Sequence, residues 1–159
     1  MKLKGGHLKS SLSDDNKEII SWGAKYATGI ISIDKQHKEL VDLTNKLYYA
    51  CLNKNEDLDK TFKTAMHSLV EYVCYHFREE QTLLEQIKFP AFKEHKKEHE
   101  KLIKDILEIS KNYGTGNKFV PNQCVRTLKE WVFGHIAVSD KIFASYVKDQ
   151  KKKGFLTDL

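Results

Sequence analysis

Residues 71–106 read EYVCYHFREEQTLLEQIKFPAFKEHKKEHEKLIKDI, two segments of helical period joined through a single proline. On both sides of Lys88-Phe89-Pro90 the apolar residues recur every third or fourth position, the spacing of helices that each bury one face; the proline separates them. At about 100° per residue, Glu80 lies about 40° from His76, and Phe62, Leu69, Leu83 and Ile87 fall within about 40° of the same line. His76 and Glu80 therefore belong to the apolar stripe, whereas His67, about 180° away, should face solvent. Beyond the proline, His95 and His99 stand one turn apart, with Leu102 and Ile106 within about 20° of His95.

The same period extends outward in both directions. A first helix is expected from Ser32 or Asp34, both good N-caps, to about Leu52, and a second from Leu58 to Ile87. The third runs from Pro90, which suits a first helical turn, to about Asn112 before Tyr113-Gly114-Thr115-Gly116. A fourth opens at Pro121 and fades near Lys148. Four long helices with short breaks predict an all-α, antiparallel up-down-up-down four-helix bundle. The expected organisation is a disordered tail over residues 1–19, the bundle over 20–149 with Trp22 and Tyr26 of an N-terminal extension packed on it, and a C-terminal tail over 150–159.

Bulk properties narrow the class. The chain's 159 residues suffice for one domain with a real core. No apolar run approaches the roughly 18 residues of a membrane span, and the start MKLKGGHLKSSLSDD lacks the apolar stretch of a secretory signal, so a cytoplasmic protein is expected. Cys51, Cys74 and Cys124 are odd in number and show no CxxC spacing, which reads as reduced thiols. The net charge of +5 comes from lysines scattered among glutamates, not from one basic stripe, which argues against a nucleic-acid partner. HExxH, P-loop and GxSxG patterns are missing, which leaves hydrolase and nucleotide-binding readings without support.

The histidines carry the chemistry. In the first helix Val41, Thr44 and Tyr48 share the face of His37; in the fourth Leu128, Trp131, Ile142 and Tyr146 share that of His135. Each helix thus sends at least one imidazole inward. A single such ring is ordinarily a core histidine with one hydrogen bond. Five rings and a carboxylate in one small core need more partners than the other inward groups supply, and a divalent metal resolves that conflict. Asp140 stands apart: it lies about 140° round an undistorted helix from His135, so spacing alone fits a surface acid equally well. Gly134, costing about 1 kcal/mol in a helix interior, hints at a local irregularity such as a π-bulge that could re-aim it.

Taken in order, Trp22…Tyr26…Gly29…Ile33-Asp34-Lys35-Gln36-His37, Tyr72…His76-Phe77…Glu79-Glu80, Pro90…His95…His99 and Trp131…His135-Ile136…Asp140 resemble the signature of the hemerythrins, in particular the bacterial ones, over about residues 20–147. The resemblance, not the helical wheel, brings in Asp140. It implies two iron ions, one held by His95, His99 and His135 and the other by His37 and His76, bridged by Glu80, Asp140 and an oxo or hydroxo group. One coordination position then stays open on the two-histidine iron, and the function implied is reversible dioxygen binding for storage, delivery or sensing. By the same resemblance Leu40, Phe77, Trp131 and Val132 line a dry oxygen pocket, although ordinary core packing explains such residues equally well. Val132 stands where a leucine is expected; the smaller side chain would widen the pocket, speed autoxidation and admit small anions such as azide.

Two other classes compete. A di-iron enzyme reducing oxygen, peroxide or nitric oxide is the alternative, but the carboxylate-rich sites of such bundles use Glu-x-x-His pairs, and no candidate ligand histidine here follows a glutamate at that spacing. A metal-free or zinc-binding structural bundle fits poorly, because seven ligands exceed one tetrahedral zinc site. Oligomeric state is left open by the sequence.

Overall fold

A computed structural model describes residues 18–52, 58–113 and 120–156, so that of the tail expected over 1–19 residues 1–17 lie outside the described residues. Helix α1 spans Ile31–Leu52, α2 Leu58–Gln86 and α3 Phe92–Tyr113. The fourth rod is compound: α4 over Val120–Trp131, a π-helix over Val132–Ser139, and α5 over Asp140–Lys152. Among the described residues there is no strand, and no helix is long and apolar enough to cross a membrane.

Side-chain periodicity explains the packing. α1 lies against α2 and α4, and α3 against α2 and α4, so the rods form a ring in chain order. Successive rods run in opposite directions: Leu47 near the end of α1 and Phe62 near the start of α2 share a core cluster, and the Tyr113 hydroxyl at the end of α3 donates to Asp59 at the start of α2, 2.7 Å away. Leu40, Leu47, Phe62, Leu69, Phe77, Leu102, Ile106 and Leu128 fill the central cluster. Burial of each such side chain contributes about 1.5–3 kcal/mol, which is what holds a bundle of otherwise marginal helices together.

The ends differ in detail from the sequence expectation. Asp34 does not cap its own helix. Its carboxylate accepts from the Thr28 amide (2.6 Å), the Thr28 hydroxyl (2.8 Å) and the Gly29 amide (2.9 Å), tying down the preceding loop, where Gly29 takes a φ of 82° that disfavours any side chain. Pro90 sits in the turn before α3, and the last helix continues past Lys148 to Lys152.

The N-terminal extension is pinned to α1 by reciprocal bonds between the Asn45 amide and the Ile20 backbone, at 2.8 and 3.1 Å. Tyr26 is fully buried, and Trp22 stacks on it with ring centroids 5.7 Å apart while lying 6.3 Å from the His37 ring. The extension thereby roofs one end of the histidine cluster.

Candidate metal centre

The π-helix sets the geometry of the fourth rod. Its wide turns are marked by the Asp140 amide donating to the His135 carbonyl, five residues back instead of four. The extra residue per turn shifts everything downstream by one position. Asp140 is fully buried and faces inward with His135, while Ser139, the regular i+4 position, is partly exposed. The same shift corrects the helical-wheel expectation for Ile142, which is 58% exposed; Phe143 takes the core place. Gly134 is not required by crowding, since a Cβ built there meets nothing within 4 Å.

Five imidazoles and two carboxylates converge from all four rods. His37, His76, Glu80, His95, His99, His135 and Asp140 are each no more than 3% exposed. Glu80 Oε2 lies 3.1 Å from both His95 Nε2 and His99 Nε2 and 3.9 Å from His76 Nε2, while Oε1 lies 4.0 Å from His37 Nε2. Asp140 Oδ1 stands 3.1 Å from His135 Nε2 and 3.5 Å from His95 Nε2; its Oδ2 stands 3.1 Å from His37 Nε2. Each carboxylate thus faces both a three-histidine set and the opposite histidines. His67, in contrast, is on the surface beside Glu71 at 3.2 Å.

These donors fit metal better than one another. His99 Nε2 and His135 Nε2 approach to 2.8 Å, a separation natural for two nitrogens each about 2.1 Å from one ion at roughly a right angle. Despite the short ion-pair distances, His37 Nδ1 and Nε2, His76 Nε2, Glu80 Oε1 and both Asp140 oxygens are buried with no hydrogen bond of good geometry. Orphaned lone pairs of this kind are costly unless a cation takes them. Two overlapping donor groups emerge, Glu80 with His95, His99 and His135, and Glu80 with His37 and His76.

Protonation follows from burial and from the two acids. Burial pushes His76 down to about 3 and lowers His99, so both rings offer neutral nitrogens. At His135 burial works the same way, but the charge of Asp140, whose Oδ1 stands 3.1 Å from Nε2, outweighs it and raises the ring to about 9. Burial opposes ionisation of Glu80, yet hydrogen bonds from His95 and His99 hold it well below the ordinary carboxylate range; Asp140 is lowered as well, against burial and the Glu80 charge, chiefly by His135.

Aromatic rings wall the cluster. Phe77 stacks on His99 with centroids 3.7 Å apart and planes 4° apart, and Trp131 stacks on His135 at 4.7 Å. Leu40 is buried in the central cluster beside them, and Val132 is buried with Ile20, Tyr26, Val41 and Ile136 under the N-terminal extension.

Sequence reasoning did not single out the side chains that touch the outer ring nitrogens. The Gln36 amide oxygen lies 2.9 Å from His76 Nδ1, the Gln81 amide 3.1 Å from His99 Nδ1, and Glu98 Oε2 2.6 Å from His135 Nδ1, with the Ser139 hydroxyl donating to the same oxygen at 2.7 Å. Gln36, Gln81 and Glu98 each neighbour an inward residue in sequence, so each points about 100° aside, toward the adjacent rod. Adjacency was the available signal, and it is too common to select them.

Known proteins resemble this chain in sequence and fold. The family model of the hemerythrin HHE cation binding domain matches residues 28–147. The chain is 28% identical over 127 residues to a bacteriohemerythrin of Methylococcus capsulatus, covering 79% of this chain and 94% of that protein. It is 30% identical over 144 residues to a bacteriohemerythrin of Pseudomonas aeruginosa, covering 86% and 92%. A crystal structure of wild-type hemerythrin superposes with a TM-score of 0.71 at 26% identity, over 80% of this chain and 96% of that one. The chain belongs to the hemerythrin family.

Proposed function

We propose that this protein binds dioxygen reversibly at a pair of iron ions held by His37, His76, Glu80, His95, His99, His135 and Asp140. The observation that carries the reading is the placement of Glu80 and Asp140, each within 4.0 Å of imidazole nitrogens on both sides of the cluster. Two carboxylates so placed suit two bridged ions, with His95, His99 and His135 on one side and His37 and His76 on the other. With an oxo or hydroxo bridge as well, those residues would leave one coordination position free on the two-histidine side. A ferrous pair bound there would supply the two electrons that reversible dioxygen binding borrows and returns.

The chain's own contribution is to hold that centre dry. Phe77 and Trp131 lie flat against two ligand rings, Trp22, stacked on Tyr26, covers His37, and Leu40 and Val132 fill the space between rods, which keeps water and external reductants out. Five imidazoles and only two carboxylates give the site less negative charge than carboxylate-rich oxidases hold, which favours a carrier over an enzyme that reduces oxygen, peroxide or nitric oxide. Three free thiols agree with a cytoplasmic setting.

The test is an anaerobic absorption spectrum of the reduced, iron-loaded protein, followed by air and then argon. A visible ligand-to-iron band that forms in air and vanishes under argon supports a carrier. Rapid one-way oxidation, with turnover when reductant is supplied, favours the enzyme and overturns the proposal.

A further inference from the structure

The outer hydrogen bonds of the ligand rings are unequal. His76 and His99 meet side-chain amides, of Gln36 and Gln81, which are neutral and can present either end to a ring. His135 meets a carboxylate, Glu98, at 2.6 Å, and Ser139 fixes that carboxylate by donating to the same oxygen at 2.7 Å. Hydrogen bonds to an ionised acceptor are shorter and roughly twice as strong as neutral ones. The π-helix makes this possible: by turning Asp140 inward it leaves Ser139 facing the Glu98 side of α3.

We infer that Glu98, seated by Ser139, is a positioning residue of the metal centre: it holds the His135 ring with Nδ1 protonated and Nε2 aimed inward, and makes the metal position on the His135 side the more electron-rich of the two. This rests on the reading of the seven side chains as iron ligands. Carboxylate–imidazole–metal chains of this form raise the basicity of the ligating nitrogen and fix its tautomer. The asymmetry belongs to this chain's surface as much as to its core. Glu98 is half-exposed and, with Glu130, Trp131, Gly134 and His135, borders a cleft of about 270 Å³ open to solvent. Water entering the cleft would take the Nδ1 contact if Glu98 were shortened, and the ring would lose its fixed acceptor.

The experiment compares E98Q, E98A, S139A and E100Q with the parent protein, measuring ferrous affinity by chelator competition and the midpoint potential by redox titration. Glu100 is the charge-matched control, an exposed neighbour 4.0 Å from Lys96. E98A should lose about 10- to 100-fold in ferrous affinity, the ordinary cost of removing such a partner. E98Q keeps an acceptor but not the charge, so its potential should rise with a smaller loss of affinity, and S139A should fall between E98Q and the parent. E100Q should change affinity by less than about twofold, because exposed charges are screened. Equal displacement of the potential in E98Q and E100Q, in proteins that all hold two irons, would overturn the positioning role and leave the ligand assignment standing. A parent protein that takes up no iron would overturn both.

Discussion

His37 Nε2 and Asp140 Oδ2 stand 3.1 Å apart across the bundle, both fully buried, and this contact ties the first rod to the fourth at the centre of the histidine cluster. It exists because the π-helix carries Asp140 to the place a regular helix would give Ser139. Asp140→Ala should therefore bring iron below two per chain. The exchange Ser139→Asp/Asp140→Ser should not restore it, because the relocated carboxylate would face Glu98, where like charges repel. Full iron in the exchanged protein would show that the register of the fourth rod is not what selects the ligand.

The two histidines of α2 offer a sharper contrast. His67 is 72% exposed and pairs with Glu71, while His76 is completely buried among ligand-type groups. His67→Ala should leave iron at two per chain and the melting temperature nearly unchanged, since exposed pairs contribute about 0–1 kcal/mol. His76→Ala should lose at least one iron. Metal analysis of both purified variants decides it, and equal losses would contradict the assigned faces.

What was legible in the sequence follows from regular geometry. His37, His76, Glu80, His95 and His99 lie on undistorted α-helix, so a 100° wheel turns each inward, and the structure buries each of them. Asp140 was out of reach of the wheel because a π-turn changes the angle per residue, and the same change misplaced Ile142. Glu98, Gln36 and Gln81 escaped for a different reason: their contacts depend on how far neighbouring rods are rotated, a tertiary quantity with no period in the sequence. Asp34 has the residue type of a cap, but the preceding loop folds back and claims its oxygens.

Lys88 ends α2 with a φ of 53°, the left-handed region that costs a residue with a Cβ about 1–2 kcal/mol. The turn is worth keeping, since the Tyr146 hydroxyl reaches the Ile87 carbonyl at 3.3 Å and Phe89 begins the descent into the core. Lys88→Gly should remove the strain without touching a core contact, and glycine's larger unfolded-state entropy returns part of the gain. The expected net is about 0.5–1 kcal/mol, or a rise of about 1.5–3 °C for a chain of this size. A thermal melt that falls instead would mean the Lys88 side chain makes a stabilising contact stronger than the strain.

Stability of the metal-free protein should depend on pH from both sides. An unfolded histidine titrates near 6.5. Below that value the unfolded chain takes up protons that buried His76 and His99 refuse, so stability falls as pH drops from about 6.5 toward the His76 value of about 3. Glu80 and Asp140, held low in the folded state, add to the acid loss. His135 acts in the opposite sense: folded, it keeps its proton up to about 9, so its contribution is complete below about 6.5 and disappears as pH rises through about 9. Metal on Nε2 displaces that proton, so ferrous loading near neutrality should release it and abolish the alkaline decline. Denaturant melts of the metal-free protein from pH 5 to 9.5, with a pH-stat titration on adding ferrous iron under argon, measure both effects. His135→Gln should flatten the alkaline limb; if that variant declines as steeply as the parent, the proton lost on loading comes from some other group.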